Sequence, residues 1–341
     1  MAVRPRLRLA AMLAGFTALT ALGVWWAAPD RAELARTWRE LAALGGASAA
    51  VLAAIACATI VAEVLRLVVF GRVLGVAIGL RAAFDATLAN NLLSWISPGG
   101  VLGEPAAVIV LARRGVPVDA AIVVSFGKFA TSFALIMGLA CVLLALGHGP
   151  AIPGWAALSI AATVGFGVAL VGSFVVGAMW PAASRRLIDR LAAYLVRKPR
   201  GPRASRVITR SLELARRSLD RLAQFRVGGP AGWLAILVSH VLYYGAYVGL
   251  LAALAAMFDA RSVAAIVPIA IVYQAFTYIA PAPGLPEASA AVFFGGLLPD
   301  GHAFVVVLLF RALTAYLHVA LGLVYLPIGG MLWSLVARER S

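Results

Sequence analysis

Charged residues are scarce in this chain of 341 residues, since Asp, Glu, Lys and Arg make up 13% of it and apolar residues make up 63%. In soluble domains about a quarter of the residues are charged, and in disordered chains few residues are apolar. The composition therefore excludes a soluble enzyme and a disordered chain. It indicates a protein that crosses a membrane several times.

Cysteine is almost absent as well. The two cysteines, Cys57 and Cys141, stand alone in apolar stretches, which excludes a disulfide scaffold and a cysteine-based metal site. We expect both to be buried, inert thiols. Catalytic patterns are also missing: there is no HExxH, GxSxG, P-loop or GxGxxG pattern and no aspartate-rich metal cluster. The sequence therefore predicts neither an enzyme nor a bound cofactor or metal.

Acidic residues number 14 against 29 basic ones, which gives a formal net charge of +15. Thirteen of the basic residues lie in the segment 180–228, where only Asp189, Glu213 and Asp220 offset them. A basic loop between apolar spans marks the cytoplasmic side, and it argues against a nucleic-acid partner. Apolar residues at helical spacing on both sides of 198–202 predict two amphipathic helices lying on anionic headgroups. A solvated cytoplasmic linker is the alternative.

Long apolar runs predict six full membrane spans, at residues 9–28, 46–70, 117–147, 153–179, 229–257 and 301–333. Arg4, Arg6 and Arg8 place the N-terminus in the cytoplasm, on the same side as the basic loop. We interpret the first run as an uncleaved anchor, because Trp25 and Trp26 are too bulky for a signal-peptide cleavage site.

Two further apolar regions, 83–113 and 264–299, are each interrupted by a Pro/Gly segment. Neither half of either region reaches the roughly 20 residues of a full span. Both regions therefore predict a re-entrant helical hairpin. The residues of the two breaks are Pro98, Gly99, Gly100, Pro281, Pro283 and Gly284.

The two broken regions match each other at a constant offset of 183 residues. The matching polar positions pair Asn91 with Gln274, Ser94 with Thr277, Glu104 with Glu287, and Lys128 with Arg311. Loop charges place the first hairpin on the cytoplasmic face and the second on the outer face. The sequence thus predicts inverted repeats, 46–147 and 229–333, within a single integral membrane domain spanning 1–341.

Paired broken segments of this kind are the best sequence pointer to a transporter's binding site. A helix that starts after such a break directs free N–H groups and a positive dipole end into the membrane, which suits a phosphate or a carboxylate. Charged side chains at that depth need a partner or a wet cavity. The predicted substrate-binding residues are Glu104, Glu287, Lys128, Arg311, Asn91, Gln274, Ser94 and Thr277.

Structural roles are the alternative for these residues. Two Glu–cation pairs can fix each hairpin to the span that follows it, and the four neutral residues can equally serve helix–helix contact. Glu63 and Arg66 are secondary candidates. They lie three residues apart on one helical face, where mutual neutralisation is favoured over a role in substrate binding.

The segments PGGVLGEPA, RRGVPVDAA and PAPGLPEAS, with Arg311, Ala315 and Tyr316, resemble the lysylphosphatidylglycerol synthase transmembrane-region family of flippase-like proteins. The resemblance extends from about residue 10 to 335 and implies a lipid translocator of the bacterial inner membrane, with Glu104 and Glu287 as the matching acidic positions. In the second half, Ala282 and Pro283 replace glycines of the family pattern. The aminoacyltransferase domain of some relatives is missing, so a stand-alone member without synthase activity is expected.

The sequence as a whole predicts an all-α inner-membrane flippase or scramblase. It moves an anionic or zwitterionic lipid headgroup through a charged cavity between the repeats, downhill or on an ion gradient. Two alternatives stay open. One is a membrane accessory protein whose partners are lipid-biosynthesis enzymes, and the other is an ion-coupled transporter of small solutes.

Overall fold

A computed structural model of the chain describes residues 30–43, 45–97, 100, 102–148, 171–196, 202–224, 229–279, 285–299 and 301–328, with a few single positions between 14 and 25 and between 165 and 169. Every regular element in these residues is a helix. Most of the predicted first span and most of the predicted span 153–179 lie outside the described residues.

The helices follow in this order: α1 (Arg31–Ala43), α2 (Gly45–Val73), α3 (Leu80–Ile96), α4 (Gly103–Arg113), α5 (Val118–Ala145), α6 (Pro181–Val196), α7 (Pro202–Ala223), α8 (Gly229–Met257), α9 (Val263–Ile279), α10 (Leu285–Ala288), α11 (Ala290–Phe294), α12 (His302–Arg311), a π-helical turn (Ala312–Tyr316) and α13 (Leu317–Ile328).

Four of these helical stretches are long and apolar enough to cross a membrane: α2, α5, α8 and the continuous stretch His302–Leu326. They coincide with four of the six predicted spans. The all-helical membrane fold is therefore confirmed for the described part of the chain, whereas the total of six spans stays a prediction.

The two broken regions also have the predicted helices before the break. Both α3 and α9 have 17 residues, and adding 183 to the bounds of α3 gives the bounds of α9. After the break the halves differ, since α4 is one helix of 11 residues whereas α10 and α11 have only four and five. The re-entrant course and the inversion of the repeats stay predictions.

Close contact between α3 and α4 depends on a glycine at the start of α4. A Cβ atom at Gly103 would lie 2.9 Å from the carbonyl oxygen of Asn90, which is too close for any side chain. At their other ends the two helices are joined by an ion pair between the fully buried Asp85 and Arg114. The first contact holds the start of α4, and with it Glu104, against α3, and the ion pair holds the end of α4.

Two apolar cores join the first and second halves of the chain. One core consists of residues from α2 to α5 together with Ala178, Leu222, Ile236, Val319 and Leu326. The other consists mainly of residues from α8 to α12 together with Phe133 and Met137 of α5. Each half therefore completes the core of the other.

The expected burial of the cysteines is wrong. Cys57 of α2 and Cys141 of α5 are both exposed. Each lies on the side of a long apolar helix that points away from the rest of the protein, where a thiol behaves as a small apolar side chain. Hydropathy shows that a residue lies within a span, but it does not show which side of the helix the residue occupies.

The two amphipathic helices predicted for the basic segment are present as α6 and α7, and the predicted break at 198–202 falls almost wholly outside the described residues. Ion pairs join the two helices, from Arg185 to Asp220 and from Arg216 to Asp189. A further ion pair of 2.9 Å joins Arg221 of α7 to Asp119 in the first turn of α5. The helical pair is thereby fixed to a membrane span.

Candidate functional site

A cavity of about 380 Å³ lies among α2, α3, α4, α5, α8, α9 and α12. All the predicted polar site residues except Glu287 line it: Glu63, Arg66, Asn91, Ser94, Glu104, Lys128, Gln274, Thr277 and Arg311. Gly100 of the first break lines it as well, whereas Pro98, Gly99, Pro281, Pro283 and Gly284 lie outside the described residues. Side chains from both halves of the chain thus meet around one space.

Lys128 is the centre of a charged cluster in the first half. Its Nζ lies 3.6 Å from Glu104 Oε1 and 3.7 Å from Glu63 Oε1. Asn91 Nδ2 donates a hydrogen bond of 2.8 Å to Glu63 Oε2. Because Glu63, Glu104 and Lys128 come from α2, α4 and α5, one buried cation links three helices.

Glu63 forms an ion pair with Lys128, and the described residues contain no direct ion pair between Glu63 and Arg66. The mutual neutralisation of these two charges stays a prediction. Arg66 donates a hydrogen bond to the hydroxyl of Ser132. Its guanidinium carbon lies 4.0 Å from the centroid of the Tyr243 ring, which is a cation–π contact worth about 2 kcal/mol where water is excluded. Spacing along α2 shows that the two charges share a face, but the opposing helices decide their partners.

Arg311 belongs to a tighter cluster in the second half. Its Nε donates to Glu287 Oε1 at 3.0 Å, and the hydroxyl of Tyr316 donates to the same oxygen at 2.6 Å. Glu287 is fully buried and does not belong to the cavity lining. Its carboxylate therefore binds Arg311 on the side away from the cavity, while Arg311 itself lines the cavity.

The π-helical turn explains how Arg311 and Tyr316 reach one oxygen atom. In an α-helix, residues five apart point about 140° away from each other. The i→i+5 hydrogen bonding of a π-turn brings such residues onto the same side. The turn Ala312–Tyr316 directly follows Arg311, so it directs both side chains towards Glu287.

Three side-chain N–H donors on residues that line the cavity have no hydrogen-bond partner among the described residues. They are Arg66 Nε, Gln274 Nε2 and Arg311 Nη2. An unsatisfied buried donor costs about 1–3 kcal/mol, and native proteins contain few of them. Three such donors on residues around one cavity are the arrangement expected where a ligand rich in acceptor oxygens binds.

Comparison with protein families identifies the chain. The family described as the lysylphosphatidylglycerol synthase TM region matches residues 11–322. The chain belongs to this family. Membership confirms the resemblance seen in the motifs and associates the protein with membrane-lipid processes. Comparison with curated proteins and with solved structures finds no match.

Some cavity residues of this family member were not found from its sequence. Tyr243, Tyr247 and Tyr278 line the cavity, and the neighbouring Tyr244 donates to the hydroxyl of Tyr278 at 3.0 Å. The available signal was the run YYGAY in the middle of an apolar span, where polar aromatic residues are unusual. Comparison of the repeats missed it, because the corresponding residues of α2 are apolar.

The cavity also has an exposed edge between α4 and α5. Pro105 and Phe126 both line the cavity, and both are exposed. Phe126 lies eight residues after the start of α5, which is about 12 Å along the helix axis.

In the part of the chain that the structure describes, no group of His, Cys, Asp or Glu is arranged to hold a metal ion.

Proposed function

We propose that the protein moves a lipid with a phosphate-bearing headgroup across the bacterial inner membrane, through the cavity between its two halves. The observation that carries this proposal is the set of three N–H donors without a described partner, on the cavity residues Arg66, Gln274 and Arg311. A phosphate group offers several acceptor oxygens to such donors. Hydrogen bonds from charged donors to phosphate are also stronger than neutral ones.

Lys128 gives the site a cation that a headgroup can recruit. Both of its ion pairs are longer than a hydrogen bond, at 3.6 and 3.7 Å. Arg311, by contrast, is held by a hydrogen-bonded pair of 3.0 Å. A phosphate entering the cavity therefore binds a fixed guanidinium and an ammonium that can move towards it, while Asn91 keeps its hydrogen bond to Glu63.

The exposed edge at Pro105 and Phe126 favours a lipid over a small solute. Phe126 lies at membrane depth on α5, so an opening there faces acyl chains rather than water. A headgroup can enter sideways while its acyl chains stay in the bilayer. We propose that the inverted repeats alternate this access between the two faces, with the basic segment on the cytoplasmic side, and that no covalent step takes part.

Reconstitution into liposomes that contain a fluorescent phospholipid tests the proposal. The measured quantity is the rate at which the labelled lipid becomes accessible to a membrane-impermeant quencher. Each of the variants Arg311→Gln and Lys128→Gln removes a charged contact worth about 1.5–3 kcal/mol, so we expect the rate to fall at least about tenfold. Arg261→Gln is the matched control, because Arg261 is exposed and bonds to the carbonyl oxygen of Gly296.

Each of the following outcomes contradicts part of the proposal. If both variants fold and move lipid at the wild-type rate, the cavity is not the route. If the liposomes take up a water-soluble phosphate ester but do not move lipid, the protein is a solute transporter. If neither the lipid nor the phosphate ester crosses the membrane, and the protein purifies with a lipid-biosynthesis enzyme, the accessory function is correct.

A further inference from the structure

Helix α6 has two opposite faces with different partners. Arg185 and Asp189 form ion pairs with Asp220 and Arg216 of α7, so this face is directed at α7. Leu187, Leu191 and Tyr194 are exposed by 68%, 49% and 56%. Residues two apart in an α-helix point about 160° away from each other. The apolar stripe of Leu187, Leu191 and Tyr194 therefore points away from α7.

Two arginines border this stripe. Arg186 and Arg190 each precede one of the leucines by a single position, and both are exposed. The acidic residue of the helix, Asp189, is on the other face and pairs with Arg216. The stripe and its arginines thus combine apolar side chains with positive charge, which is the pattern of a helix that lies in a membrane interface.

The chain before α6 indicates the depth at which the helix lies. Val175, Val176 and Met179 belong to the helical residues 171–179, and all three are exposed apolar side chains. They are followed by Trp180, which is 59% exposed. Tryptophan is enriched where a membrane span reaches the headgroups. The stripe on α6 therefore follows directly along the chain from a segment that reaches the headgroups.

We infer that the α6 face, formed by Arg186, Leu187, Arg190, Leu191 and Tyr194, binds the surface of a bilayer that contains anionic lipids. The leucines and the tyrosine enter the boundary of the acyl chains, and the arginines bind lipid phosphates. This lipid contact is separate from the cavity and from the translocated lipid. The contact does not depend on lipid movement through the cavity.

The α6 face is linked to α5 by ion pairs through α7. Helix α7 carries the partners of Arg185 and Asp189, and its Arg221 pairs with Asp119 in the first turn of α5 at 2.9 Å. Lys128 lies nine residues further along the same helix, about 14 Å along its axis. The bilayer surface is thus connected through ion pairs to the span that carries the mobile cation.

A fluorescent label at position 187 tests this inference in the full-length protein. The variant Leu187→Cys is made in a background of Cys57→Ala and Cys141→Ala, because both native thiols are exposed. The labelled protein is placed in nanodiscs of phosphatidylcholine, alone or with increasing phosphatidylglycerol. Thr209→Cys is labelled as the control, since Thr209 is exposed on α7.

The expected result is a blue shift at position 187 that grows with the phosphatidylglycerol fraction and exceeds the shift at position 209. Adding Arg186→Gln and Arg190→Gln weakens the apparent affinity for phosphatidylglycerol at least about fivefold. A label that stays as in water at every composition overturns the inference. A shift that does not depend on phosphatidylglycerol, or a label shielded from both water and lipid quenchers, overturns it as well.

Discussion

At the scale of single residues, Glu104 and Glu287 occupy corresponding positions but hold their cations differently. Glu104 lies 3.6 Å from Lys128, too far for a hydrogen bond, and it lines the cavity. Glu287 accepts from both Arg311 and Tyr316 through one oxygen. We therefore assign Glu287 to the positioning of Arg311 and Glu104 to the cavity itself.

The variants Glu287→Gln and Glu104→Gln are expected to differ in stability. Removing one partner of a buried ion pair costs about 3–5 kcal/mol, because it leaves the other charge without compensation. Glu287→Gln meets this condition at Arg311, whereas Glu104→Gln leaves Lys128 with Glu63. Thermal unfolding in detergent measures the difference. Equal losses of stability in the two variants contradict the assignment.

Tyr316→Phe removes one hydrogen bond to Glu287 and keeps the Arg311 pair. A hydrogen bond to a charged group is worth about 1.5–3 kcal/mol, against about 1 kcal/mol for a neutral one. We expect Tyr316→Phe to lower the free energy of unfolding more than Tyr278→Phe, whose hydroxyl bonds only neutral Tyr244 in the described contacts. Chemical unfolding of both variants in detergent checks the order, and the reverse order shows that Tyr316 does not support Glu287.

Sequence comparison found the charged residues of the site but not all their partners. The constant offset of 183 residues identified Glu104, Lys128 and Arg311 because rare charges at membrane depth keep their spacing. The pairing of Glu63 with Lys128 of α5 was missed, because Glu63 has no charged counterpart in the second half. Contacts between helices that are distant in sequence depend on packing, which no spacing pattern records.

At the scale of the helices, Gly322 determines how closely α13 packs on α3. A Cβ atom there would lie 2.9 Å from the Cβ of Leu92, and a Cβ so close to the backbone of α3 has little freedom to move. Helix α3 carries Asn90, Asn91 and Ser94 of the cavity. A displaced α13 therefore displaces one wall of the site.

Gly322→Ala is expected to destabilise the protein by about 1–3 kcal/mol, which is typical of overpacking. Gly245→Ala on α8 is the control, because nothing lies within 4 Å of its added Cβ. That change gains up to about 1 kcal/mol from helix propensity. Unfolding temperatures in the same detergent give the comparison, and a neutral Gly322→Ala shows that α3 and α13 can separate freely.

Helix prediction was most accurate for the long apolar spans, since the predicted span 229–257 has the bounds of α8. The bounds of α3 and α9 follow the repeat offset, but the division of the last part of the second hairpin into α10 and α11 was not predicted. There the hydroxyl of Ser289 donates to the carbonyl oxygen of Pro286 at 2.8 Å, between the two short helices. The π-turn was missed too, because an apolar span carries no local signal for one widened turn.

At the scale of the whole molecule, the two halves are interlocked. Phe133 and Met137 of α5 are buried in the core of the second half, and Val319 and Leu326 of α13 are buried in that of the first. Arg66 of α2 lies over Tyr243 of α8. Neither half encloses its own apolar residues or the cavity alone.

A chain divided within the basic segment tests this dependence. We expect the fragments 1–198 and 199–341 to purify together when they are produced in one cell, since each completes the core of the other. Each fragment produced alone is expected to aggregate or to be degraded. Size-exclusion chromatography of the tagged fragments provides the measurement, and a single fragment that is stable and monodisperse contradicts the interlocked arrangement.

Electrical neutrality follows from the charged clusters. Among the described residues at the cavity and directly behind it, Arg66, Lys128 and Arg311 are balanced by the three carboxylates of Glu63, Glu104 and Glu287. With all six side chains ionised, the site has no net formal charge. Under the proposed function, a zwitterionic headgroup keeps it so, and its passage is then insensitive to the membrane potential. An anionic headgroup adds negative charge, so its passage responds to the membrane potential unless a proton or another cation travels with it.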